Sequence, residues 1–224
     1  NSVIKSNYYG ISTGFYSIGD VYEVWDRWFG KDHYCLPKEI SSEKDDEMQN
    51  YFYWVAKAWG KTILSKNNRN TLMVERLSKT FPKSYFIVVE RNPASVIMST
   101  MQASKDFFGD DQYVWGLLPS SNFSISDYEN KLTAYCNQYI GLEEEMNKQL
   151  QSLSKDSFSR VKYEEFCLQP EEKIKEIVDR IKYATGKEIQ FNVSRMHPSK
   201  PKNNSSNCQL QLDIEERIKE IRSL

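Results

Sequence analysis

The chain has 224 residues, with 30 Lys and Arg against 31 Asp and Glu, a net charge of -1 and no long block of one sign. That balance argues against a nucleic-acid binder, which would carry a basic face, and no run of about 18 apolar residues is present to span a membrane. The length suits one domain with a substantial core. The four cysteines (Cys35, Cys136, Cys167, Cys208) lie far apart without a CxxC or Cys/His cluster, so they read as reduced thiols rather than metal ligands.

Residues 8–30 are dense in aromatics, and Tyr22, Trp25 and Phe29 recur at helical spacing. Asp20, Glu23 and Asp26 accompany them; each reads either as a site carboxylate or as a solvated one on an amphipathic helix. Residues 37–47 are polar and read as a loop. A helix is expected from 45 to about 60, stopped by Gly60, and it runs into a short strand at 62–65. Lys66 follows in a turn, then a helix over about 70–79. Phe81-Pro82-Lys83-Ser84 breaks the chain before a second strand at 85–90, whose almost unbroken apolar run suits burial on both faces of a parallel sheet.

Arg91 stands where that strand ends. Asn92 is a favoured helix N-cap and Pro93 a favoured first helical residue. A cation at a strand's carboxyl end, beside a helix N-terminus, is where open α/β sheets bind phosphate. Ser95 and Ser99 share one face of the helix, and Ser99, eight residues after Arg91, can share an anion with it. The competing reading is a structural ion pair for Arg91 and a packed helix serine for Ser99.

Residues 104–125 are irregular and aromatic, the profile of a binding loop. Residues 126–153 form a long amphipathic helix, with acids early and Lys148 late. A third strand at 157–163 alternates enough to lie near an edge, Pro170 opens a helix over 171–183 that ends near Gly186, 198–209 is a polar loop and 213–224 a last helix. Alternation of helix and strand predicts an α/β fold, a three-layer parallel sheet with helices on both faces.

The blocks Lys66-Asn67-Asn68, Phe81-Pro82, the strand at 85–90, Arg91-Asn92-Pro93 with Ser99, and Val161-Lys162-Tyr163-Glu164-Glu165-Phe166 with Pro170 resemble, in order and spacing, the sulfotransferase superfamily. That superfamily uses 3′-phosphoadenosine 5′-phosphosulfate (PAPS). The likeness is greater to the tyrosylprotein and bacterial carbohydrate or small-molecule branches. The cytosolic steroid and phenol branch has a histidine where this chain has Asn68.

The resemblance implies a P-loop NTPase-like sulfotransferase fold over 1–224 and sulfuryl transfer from PAPS to a hydroxyl or amine of a carbohydrate, small-molecule or peptide acceptor. It assigns Arg91 and Ser99 to the 3′-phosphate and Lys66 to the leaving phosphate. Tyr163 is to touch the nucleotide, and Lys202, with Lys200 and Ser205 or Ser206, to close over the 3′-phosphate. Glu23 is the general base by position, Asp20 second and His33 third. Trp115-Gly116 matches a segment that covers the acceptor. No metal is required. The compartment stays open, with bacterial cytoplasm ahead of a Golgi lumen. The chain departs from the pattern at its start, where Gly10-Ile11-Ser12-Thr13-Gly14 lacks the basic residue of the phosphosulfate-binding loop. We therefore expect that loop to be missing from this sequence. Two other readings stand beside this one: a P-loop nucleotide kinase, and a sulfotransferase-like binding module without catalysis.

Overall fold

A computed structural model describes residues 5–6, 12–13, 22–35, 40–109, 113–191, 196–201 and 208–223. In chain order they form a short antiparallel pair, β1 (Lys5–Ser6) and β2 (Ser12–Thr13), then α1 (Tyr22–Phe29), α2 (Ser42–Trp59) and α3 (Val74–Thr80). β3 (Phe86–Glu90) and α4 (Pro93–Phe108) follow, then α5 (Lys131–Gln151), β4 (Phe158–Lys162), α6 (Tyr163–Leu168), α7 (Pro170–Thr185) and α8 (Cys208–Ser223). The result is a mixed α/β structure, mostly helical, around a small parallel sheet.

That sheet is β3 beside β4, in register from Phe86 opposite Phe158 to Glu90 opposite Lys162. Side chains alternate across a strand, so Phe86 and Val88 face one side. There they pack with Val74 of α3, Met146 and Leu150 of α5, and Phe158. On the other side Ile87 and Val89 stay exposed, at 37% and 63%. The expectation of burial on both faces therefore holds for one face only. Its apolar run cannot distinguish a covered strand from a half-covered one, because it has no polar alternation to lose.

The expected strand at 62–65 does not form. Residues 61–67 run without a ladder partner among the described residues, and Leu64 is 88% exposed. Two apolar residues, Ile63 and Leu64, supply little burial; the segment is tied instead by Trp25 Nε1 donating to Ser65 Oγ at 3.2 Å. The described sheet thus has two parallel strands rather than the expected full parallel layer.

The helix ends follow the chain's own punctuation. Asn92 caps α4, its Oδ1 accepting from Ser95 N at 3.0 Å, with Pro93 as the first helical residue. Gly60 closes α2 at φ 62°, a left-handed conformation that costs a residue with Cβ about 1 kcal/mol or more. Several boundaries shift. α2 begins at Ser42, inside the expected loop, and α4 runs on to Phe108. α5 begins at Lys131, where Asn130 caps it by accepting from Thr133 N. α8 begins at Cys208, and the strand β4 hands over to α6 at Tyr163.

Two clusters build the rest of the core. Trp25, Trp28 and Phe29 of α1 pack with Met48 of α2, Met73 and Leu77 of α3. Ala94, Ile97 and Met98 of α4 pack with Tyr135, Cys136 and Ile140 of α5 and Ile214 and Ile218 of α8. Gln149 of α5, 9% exposed, joins the halves by donating to Leu72 O at 2.6 Å and accepting from Glu75 N at 3.3 Å.

Candidate functional site

β3 delivers Arg91 at its carboxyl end, and the first turns of α4 deliver Ser99. Both line one cavity of about 330 Å³, near the lower end of the ~300–1,000 Å³ typical of small-molecule sites. The other walls are Asn68 and Thr71 from the turn before α3, Val96, Ile97 and Thr100 of α4, Trp115, Gly116 and Leu117 of the following loop, and Gln138, Tyr139 and Leu142 of α5. Among the described residues Arg91 is the one charged member of this lining, and it favours an anion there. Ser95, which shares a helix face with Ser99, is not part of the wall.

The Arg91 guanidinium lies 5.0 Å over the ring of Tyr163, at the carboxyl end of β4. Parallel pairing places the two strand ends side by side, and Glu164 clamps them, its Oε1 accepting from Asn92 N at 3.0 Å. Arg91, the α4 N-terminus and Tyr163 therefore form one constellation, although 72 residues separate Arg91 from Tyr163 in sequence.

The 115–118 segment is held on three sides. Ser104 of α4, fully buried, accepts from Trp115 N at 2.8 Å and donates to Thr100 O at 3.1 Å. Gln138 of α5 donates to Trp115 O at 3.1 Å and Leu117 O at 2.8 Å. Leu118 N donates to Tyr34 O at 2.6 Å. Gly116 at φ 90° provides the bend. This part of the expected binding loop is thus a fixed wall. Trp115 is stacked on Phe107, with centroids 4.0 Å apart and planes 8° off parallel, and meets Tyr34 edge-on, so it is a packing anchor as well as a wall residue.

Tyr139 donates to Glu143 Oε1 at 3.2 Å; burial, the Glu143 charge and that hydrogen bond all push its phenol well above the usual tyrosine range, so it faces the cavity as a neutral hydroxyl. Sequence reasoning missed Thr71, Thr100, Gln138, Tyr139 and Leu142. No local motif marks them, and α5 reaches the site only through helix packing.

The sulfotransferase family pattern matches residues 21–185, well over half the chain. The chain belongs to the sulfotransferase family. No curated protein matches it. Among solved structures it is similar to the sulfotransferase domain from the curacin biosynthetic pathway, at 14% identity and a TM-score of 0.47, covering 73% of this chain and 52% of that one. The chain spans about half the length of that solved structure.

In this member of the sulfotransferase family the remaining residues singled out from sequence fall as follows. Lys66 is exposed, two positions before the wall residue Asn68. Glu23 is exposed on α1, and no partner holds its carboxylate among the described residues. Asp20, Lys202, Ser205 and Ser206 lie outside the described residues, as do Gly10 and Gly14. Lys200 is described and exposed, and is not part of the cavity wall.

His33 has a more ordered setting. Its Nε2 sits 3.0 Å from Asp26 Oδ1 and 3.1 Å from Oδ2, and its ring stacks on Tyr22 at 4.0 Å. Asp26 in turn accepts from Arg69 Nη2 at 2.7 Å. Arg69, with no exposed surface, also donates to Gly30 O at 2.6 Å. Burial pushes the Asp26 carboxyl up, but the His33 and Arg69 contacts outweigh it and hold the group below the usual aspartate range. Asp26 is therefore an anion at neutral pH. Among the described residues no group of three His, Cys, Asp or Glu stands close enough to hold a metal ion.

Proposed function

We propose that this sulfotransferase moves a sulfuryl group from PAPS to a hydroxyl or amine of a carbohydrate, small-molecule or peptide acceptor. The observation that carries this reading is the convergence of Arg91 and Ser99 on one cavity in which Arg91 is, among the described residues, the only charged wall residue. An arginine grips phosphate through a planar fork, and a serine hydroxyl adds a further donor. On this reading Arg91 and Ser99 hold the 3′-phosphate that distinguishes PAPS from ATP. Tyr163, already against Arg91, borders the nucleotide, Lys66 balances charge on the leaving phosphate, and Lys202 contributes a further cation to the 3′-phosphate.

The reaction is an in-line displacement at sulfur. Negative charge gathers on the bridging oxygen as the bond to the 5′-phosphate breaks, so cations at the leaving group and a base at the acceptor supply the catalysis. No step of this chemistry needs a metal.

Calorimetric titration with 3′-phosphoadenosine 5′-phosphate, with AMP and ATP as controls, tests the reading. Selective binding is expected, weakened roughly 10- to 150-fold by Arg91→Ala, the worth of a lost hydrogen bond to a charged group. Equal binding of AMP or ATP, or none of the three, would overturn it.

A further inference from the structure

The sequence from Met48 to Val74 contains no acidic residue and four basic ones, Lys57, Lys61, Lys66 and Arg69. In a chain whose charges otherwise balance, this stretch is one-sided. Arg69 is buried against Asp26, whereas the three lysines are exposed. Large apolar side chains stand exposed among them: Tyr53 at 58%, Trp54 at 59%, Trp59 at 68% and Leu64 at 88%. Single exposed apolar residues are ordinary, but four within twelve positions, interleaved with lysines, mark a surface with a partner.

The geometry joins cation and rings. Tyr53 and Trp54 have ring centroids 5.3 Å apart, and Lys57 Nζ lies 4.8 Å from the Trp54 ring and 5.8 Å from that of Tyr53. Gly60 ends α2 immediately after Trp59, which places Lys61, and Leu64 three residues on, beyond the same helix end. The core does not use these rings: α2 packs inward through Met48, with Tyr51 and Phe52 beside it. The helix dipole favours Glu43 and Asp45 in the first turn of α2 and Lys57 in the last. That explains one lysine and leaves two exposed tryptophans unexplained.

We propose that the C-terminal end of α2, through Tyr53, Trp54, Lys57, Trp59, Lys61 and Leu64, docks end-on against a layer of anionic lipid headgroups. Tryptophan and tyrosine join an apolar body to a polar edge, and lysine an apolar stem to a charged head, so both suit the boundary between headgroups and acyl chains. The lysines supply charge complementarity to the lipid phosphates. Glu47, the nearest acid of α2, stands about 15 Å from Lys57 along the axis, beyond a Debye length of ~8 Å. Repulsion at the acidic end is therefore screened while attraction at the basic end is not. Trp54 and Trp59 point about 140° apart around the helix. One rigid partner face cannot seat both rings, whereas a fluid headgroup layer closes around the helix end. No helix among the described residues is long and apolar enough to cross a membrane, and surface docking requires none. The proposal is independent of the PAPS reading.

Cosedimentation with vesicles tests it, using equal parts phosphatidylcholine and phosphatidylglycerol, with phosphatidylcholine alone and soluble polyglutamate as comparisons. Wild type is expected to sediment with the mixed vesicles, less so as salt is raised, and weakly with phosphatidylcholine alone. Replacing both Lys57→Gln and Lys61→Gln should lower partition into mixed vesicles about fivefold for each lysine, roughly 30-fold together. Replacing both Trp54→Ser and Trp59→Ser should lower it about tenfold or more with the lysines intact. Both variants should keep the wild-type denaturant midpoint and affinity for 3′-phosphoadenosine 5′-phosphate, since these side chains lie outside the core and the cavity.

No sedimentation with mixed vesicles would overturn the proposal. Binding that neither variant weakens would overturn it as well, because another surface would then hold the lipid. Equal binding to phosphatidylcholine alone would remove the role of the lysines. Release by polyglutamate, with the tryptophan variant binding as wild type, would assign the surface to a soluble acidic partner. A dimer that the tryptophan variant dissociates, without vesicle binding, would assign it to a second copy of the chain.

Discussion

Asp26 Oδ1 lies 2.7 Å from Arg69 Nη2, and the arginine side chain has no exposed surface while the aspartate keeps 18%. A buried ion pair is dearly balanced: its formation gains little, but removal of one member strands the other. Arg69→Met is expected to destabilise the fold by roughly 3 kcal/mol, read from the denaturant midpoint. Arg69→Lys should restore little, because one ammonium cannot serve Asp26 and the Gly30 carbonyl together.

The same pair sets an acid dependence. The Asp26 carboxyl is held below its ordinary value of 3.8, so it binds fewer protons folded than unfolded around that pH. Its contribution to stability is therefore complete above the unfolded value and is lost as pH falls through the lower folded one. Thermal unfolding followed downward from pH 6 should show wild type losing stability near and below pH 4. Asp26→Asn, less stable at neutral pH, should lose less over that range. Parallel curves for the two proteins would refute the account.

Gly141 of α5 sits where a Cβ would stand 2.8 Å from Pro119 Cβ. Glycine to alanine inside a helix ordinarily stabilises by about 1 kcal/mol. Here the added methyl group should push the 115–119 segment outward, so Gly141→Ala is expected to lower the melting temperature and weaken binding of 3′-phosphoadenosine 5′-phosphate. A gain in stability with affinity intact would show that the segment gives way freely.

Gln138 is 5% exposed, and its amide satisfies both the Trp115 and Leu117 carbonyls. Gln138→Leu removes the donors and leaves two acceptors in an apolar wall, which should cost about 1–3 kcal/mol. Chemical denaturation gives the stability. Near-ultraviolet circular dichroism reports whether the stacked Trp115 and Phe107 lose their fixed geometry.

Asn92 offers a local test of the strand-to-helix joint. Asn92→Ala removes the acceptor for Ser95 N and should cost about 1 kcal/mol. The backbone N–H of position 92 still donates to Glu164. Loss of stability without loss of nucleotide affinity would separate the cap from the site; a matching fall in affinity would show that the cap also orients Ser99.

Much of the local architecture was legible along the chain because its causes are local. Asn92 and Pro93 start α4, Gly60 and Gly186 end α2 and α7 in left-handed conformations, and Pro170 opens α7. The spacing of Arg91 and Ser99 also carried the family resemblance. Each signal is read within one or two helical turns, where backbone sterics and a single hydrogen bond decide the outcome.

What required the tertiary structure was pairing and burial. The short segments at 62–65 and 86–90 both carry apolar residues, yet only the second finds a ladder partner, β4, 72 residues onward. Strand formation depends on a neighbour's register, which neither segment encodes alone. Likewise the sequence places three candidate bases within fourteen positions, Asp20, Glu23 and His33, and ranks them by position alone. Only packing, which buries Arg69 beneath Asp26 and turns both carboxylate oxygens to His33, distinguishes a supported imidazole from an unsupported glutamate.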